Sequence, residues 1–77
     1  MAEVRYLDPG QHPPMIGCWV HVARMASGWF ASNASMPGHR SGTFYFPPAT
    51  ERLTDALYNA KAWADENAVP IIYVSEH

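Results

Sequence analysis

The sequence predicts a two-layer α+β fold: a mostly antiparallel sheet of three to five strands, one main helix on one of its faces, and a C-terminal strand. Three observations predict it. Apolar residues Leu53, Ala56, Leu57, Ala60, Trp63 and Ala64 recur at spacings of three and four, which places them on one stripe of a helix. The stretches on either side are short, β-branched or aromatic, and bounded by Pro and Gly. Several strand-like stretches precede the helix and one follows it, a segregation that suits an α+β layer pair.

Taken in order, Val4–Leu7 reads as a short strand, Asp8-Pro9-Gly10 as a turn, and Pro13-Pro14 as a stiff connection. Residues 1–14 are therefore expected to be an extended arm or an edge strand of one domain spanning 1–77. Met15 to Met25 is the longest apolar segment. As a strand it points Ile16, Cys18, Val20 and Val22 one way and Trp19, His21, Ala23 and Met25 the other. A helical reading competes, since Trp19, Val22, Ala23, Ala26 and Phe30 are also helically spaced. Val20, Val22 and the flanking Gly17 and Gly28 favour the strand. Ser27-Gly28 predicts a hairpin turn into a strand over Trp29–Ser32. Residues 33–42 read as a loop, and Thr43–Phe46 as another strand.

Pro47 and Pro48 forbid an earlier helix start. Thr50 is the expected N-cap, and Glu51 sits beside the positive end of the helix dipole. The helix is expected over 50–67. Asn67 is expected to take the left-handed C-terminal turn, and Pro70 cannot continue the helix. A strand over 70–74 ends the series.

Composition narrows the function classes. The net charge is −2, with 48% apolar and only 16% charged residues. That apolar content argues against general disorder, and the shortage of basic residues argues against backbone-driven nucleic-acid binding. Gly42–Phe46 is similar in composition to the aromatic strand of RNA-recognition motifs, but charge and element order do not match. Cys18 stands alone, so no intramolecular disulfide can form. No basic leader with an apolar run and no stretch of 18 apolar residues is present. A reducing, cytoplasmic setting without membrane contact is the expectation.

Chemical motifs are scarce. Cys18 and His21, three apart on a strand, face opposite ways, so Cys18 reads as a small buried hydrophobe. His12, His21, His39 and His77 have no zinc-site spacing. Asp65 and Glu66 diverge around the helix and form no carboxylate pair. No catalytic, cofactor or metal residues are expected. Gly38-His39-Arg40-Ser41-Gly42 is a candidate anion-binding loop, with converging N–H groups beside two cationic side chains.

The sharper inference concerns the sheet. One helix covers one face, yet the proposed strands are apolar on both. The second face must be covered by the N-terminal segment, by a second copy of the chain, or by another protein. Trp19, His21, Met25, Trp29, Tyr45 and Tyr73 are the candidate interaction surface, and His21 could make association pH-sensitive. The expected function is a small non-catalytic protein-interaction module, homodimeric or bound to another protein. Accessory subunits and inhibitors encoded by phages or mobile elements are proteins of this kind. The alternative is a small-ligand-binding or enzymatic α+β domain using His21, His39 and Arg40.

Overall fold

A computed structural model describes residues 2–14, 16–35 and 49–76. Among the described residues four strands and one helix follow in the order β1 (Glu3–Tyr6), β2 (Trp19–Arg24), β3 (Phe30–Ser35), α1 (Leu53–Glu66) and β4 (Ile71–Ser75). The α+β class, the single main helix and the C-terminal strand are as the sequence predicts. The expected strand Thr43–Phe46, the loop Gly38–Gly42 and Tyr45 lie outside the described residues.

The four strands form one sheet in the order β1-β4-β2-β3. Its pairing is mixed rather than mostly antiparallel. β4 runs parallel to both β1 and β2, and only β2–β3 is antiparallel. The reason lies in the connections. Ser27 and Gly28 close a short hairpin: Gly28 donates to the Met25 carbonyl at 2.9 Å with φ +92°, a backbone region that glycine enters freely. The connection from β1 to β2 instead brings the chain into a strand that runs in the same direction as β1. That connection leaves a slot between β1 and β2, into which α1 delivers β4. Two further bonds extend the β1–β4 ladder, Glu3 N–H to Pro70 O at 2.9 Å and Leu7 N–H to Val74 O at 2.8 Å.

Residues 19–24 are strand, which resolves the competition with a helical reading. The strand is shorter than expected because Gly17, at φ +111°, interrupts extended backbone just before it. Ile16 and Cys18 consequently lie outside β2 and are exposed, so Cys18 is not the buried hydrophobe expected of it. β3 runs on through Asn33 to Ser35, into residues expected to be loop. Its partners are the residues of β2, from Arg24↔Phe30 to Trp19↔Ser35, and this pairing overrides the polar composition of 32–35.

The helix begins at Leu53, not at Thr50. Thr50 is committed to an antiparallel bridge with Phe30, donating at 2.9 Å and accepting at 2.7 Å, so its backbone is extended. Arg52 occupies the N-cap with no side-chain cap bond. At the other end, Asn67 stays at φ −105° and Ala68 takes the left-handed position at φ +56°. Val69 N–H reaches Ala64 O at 2.8 Å and Ala68 N–H reaches Asp65 O at 3.4 Å, the Schellman pair of bonds.

The predicted helical stripe is the buried one. Ala56, Ala60, Trp63 and Ala64 are buried, with Leu53 and Leu57 packed at the margin. They meet Val20, Val22, Ile72 and Val74, which come from the two central strands and have no exposed surface. Three alanines let the helix lie close to these branched side chains. Each large side chain buried there contributes roughly 1.5–3 kcal/mol. This dry layer is the core.

Candidate functional site

Alternation along the strands sends the odd-numbered residues to the face away from α1. Register then assembles a row across that face: Arg5 beside Tyr73, Tyr73 beside His21, His21 beside Asn33. Trp19 stands one pleat away. Its ring meets Tyr73 edge-on at 6.2 Å between centroids and His21 edge-on at 6.3 Å. Tyr73 is buried yet lies apart from the helix-side core. This face thus has an aromatic centre of its own.

Residues 7–14 cover part of it, as one of the three alternatives for the second face requires. The indole Nε1–H of Trp19 donates to the Pro14 carbonyl at 3.0 Å. The turn inside the segment is held by Gln11 N–H to Asp8 O at 3.0 Å and by Asp8 N–H to Gln11 Oε1 at 2.8 Å. Between segment and sheet runs a groove of about 230 Å³, lined by Asp8–His12 on one side and by His21, Ala23 and Ser75 on the other.

His21 Nε2 and Ser75 Oγ are 2.7 Å apart at the floor of this groove. Burial lowers the His21 pKa from its ordinary 6.5, and the neighbouring charge of His12 lowers it further. Both effects favour the neutral imidazole, whose Nε2 accepts from the serine hydroxyl when the ring proton sits on Nδ1. At the edge of the face Arg5 bridges to Glu3 at 2.8 Å, and that carboxylate, with a smaller contribution from Tyr73, raises the guanidinium pKa.

Of the residues expected to form one surface, Trp19, His21 and Tyr73 come together. Met25 and Trp29 lie elsewhere, at the base of the β2–β3 turn, where Met25 N–H donates to Trp29 O at 2.6 Å. They are 48% and 45% exposed. Among the described residues no group of three His, Cys, Asp or Glu is placed to hold a metal ion. No helix there is long and apolar enough to cross a membrane.

Ser75 and His12 are groove residues that sequence reasoning left without a role. Ser75 was within reach, since it continues the alternation Ile71, Tyr73 onto the same face. His12 was not, because its position depends on the path of the 7–14 segment. Comparison of the chain with protein-family models, with curated proteins and with solved structures finds no match.

Proposed function

We propose that the protein is a non-catalytic protein-interaction module of the accessory or inhibitory kind, binding another protein or a second copy of itself through its β2–β3 hairpin end. What supports the reading is the pair Met25 and Trp29, each about half exposed and opposed across the turn. Large apolar side chains presented together at the base of a hairpin turn suit an anchor that fills a pocket on a partner, and Trp is prominent among such anchors.

The test is association of the full chain. Sedimentation velocity over a concentration series reads self-association, and affinity capture followed by titration with the captured protein reads a heterologous complex. Trp29→Ala and Met25→Ala are expected to weaken whichever is found by roughly tenfold or more, the loss of at least ~1.4 kcal/mol typical of an interface anchor. Their melting temperatures should stay near that of the wild type. Association unaffected by both substitutions, or a wild type that neither self-associates nor retains a partner, refutes the reading.

A second reading is favoured by one specific observation, the groove holding the His21–Ser75 pair. Its lining of two imidazoles, a hydroxyl, a carboxamide and the Asp8 carboxylate suits a small polar ligand. On this reading His21 acts with His12 and Ser75; His39 and Arg40 lie outside the described residues. Native mass spectrometry of purified protein that shows only the bare polypeptide mass would count against it.

A further inference from the structure

We propose that residues 7–14 form an acid-released strap over the aromatic face of the sheet: protonation of His21, which shares a groove with His12 of the strap, drives the strap away from Trp19 and Tyr73. The inference goes beyond the interaction reading and does not depend on it.

The strap is tied to the sheet near its two ends. Leu7 N–H bonds Val74 O at 2.8 Å, and Trp19 Nε1–H bonds Pro14 O at 3.0 Å. Between these ties, the bonds of Asp8 and Gln11 run to each other and stiffen the strap rather than attach it. Asp8 to His12 are all exposed on their outer side. Pro9, Pro13 and Pro14 restrict the backbone further, so the segment can lift as a unit.

Under the strap two imidazoles share one groove of about 230 Å³, His12 from the strap and His21 from β2. The groups facing His21 come from every neighbouring element. β4 contributes Tyr73 and Ser75, β3 contributes Asn33, and the strap contributes Asp8 and His12. On β1, beyond Tyr73, Arg5 is engaged with Glu3. Among the described residues Asp8 carries the one carboxylate lining the groove, and it would favour a charged imidazole. Burial and the charge of His12 outweigh it, since the His21 pKa is lowered. Protonation does not break the bond to Ser75, because a hydroxyl can accept from Nε2–H. Acid therefore acts through buried charge and like-charge repulsion between strap and sheet.

The sign follows from linkage. With the strap lifted, His21 is in water and titrates near its ordinary value of about 6.5. With the strap closed it binds protons less readily. Above that value both forms are neutral and the strap stays down. As pH falls below it, the lifted form takes up more protons and gains population.

Indole N–H exchange in the full chain tests this, because Trp19, Trp29 and Trp63 report on three places at once. Between pH 7.5 and 5.0, after correction for intrinsic rates, Trp19 protection is expected to fall several-fold while Trp63 in the core holds. His21→Gln, which keeps a hydrogen-bonding group for Ser75 and cannot titrate, should abolish the fall. His12→Gln, at an exposed position, should weaken it and keeps the test open if the His21 variant does not fold. Equal loss at Trp19 and Trp63 would mean global acid unfolding and overturn the strap. So would an unchanged Trp19 signal, or a pH response that persists undiminished in both variants.

Discussion

The two faces of this sheet are built from the same four strands and covered by opposite means. The inner face meets a 14-residue helix through alanines, Trp63 and two leucines, and its central valines and isoleucine are sealed from water. The outer face meets a proline-rich segment through one indole hydrogen bond and a polar groove. A helix satisfies its own backbone and offers an apolar stripe, so it forms a dry layer. An irregular segment must keep much of its backbone at water or at side chains, so it forms a wet one. Stability resides in the first layer; the second has the composition of a surface that can change.

The comparison breaks or holds most visibly at the two tryptophans that serve the two layers. Trp63→Ala removes the largest side chain of the helical stripe and should destabilise the fold by about 3–5 kcal/mol. Chemical denaturation of the variant checks it. A loss under about 1 kcal/mol would mean that the inner face is not the main source of stability.

Trp19→Phe keeps an aromatic ring against Tyr73, deletes the bond to Pro14 and trims the half-buried ring. The expected cost is about 0.5–1.5 kcal/mol, that of one neutral hydrogen bond. Proteolysis within residues 7–14 should rise more than global stability falls, since the tie lost is local. A cost equal to that of Trp63→Ala would erase the distinction between the faces.

The same division separates what could be read in the sequence from what could not. The helical stripe from Leu53 to Ala64 was legible residue by residue, because a 3.6-residue period and a dry interface impose one pattern. Val20, Val22, Ile72 and Val74 were legible by alternation. Parallel pairing of β4 was not, because strand direction depends on where the β1–β2 connection leads, and Asp8-Pro9-Gly10 reads as a turn wherever it goes. Trp19 and Tyr73 as members of one outer surface were legible, and so was the N-terminal segment as one of its three candidate covers. Which of them lies there was not, since proline-rich chain carries no periodicity to orient it. The ends of the helix also misled. Thr50 has the chemistry of an N-cap, but Phe30 claims its backbone, a tertiary contact that no local rule contains. At the C-terminus Asn67 is the better left-handed residue by type, yet Ala68 takes that position.

That last position shows where the inner layer falls short of its own optimum. Ala68 holds φ +56°, where an L-residue with a Cβ is disfavoured by about 1–2 kcal/mol. Its methyl group is exposed, so removing it forfeits little burial. Both Schellman bonds are made by backbone atoms and survive the change. Against the relieved strain stands the extra freedom of glycine in the unfolded chain, about 0.5–1 kcal/mol. Ala68→Gly should therefore stabilise the protein by roughly 0.5–1 kcal/mol, read as a higher denaturation midpoint with an unchanged slope. The gain should appear as slower exchange at Trp63, four residues before the cap, with Trp19 under the strap responding no more than the global stability does. If Trp19 exchange slows out of proportion to the global change, the two layers are coupled through β4, and the division between a stable face and a changeable one must be redrawn along that strand.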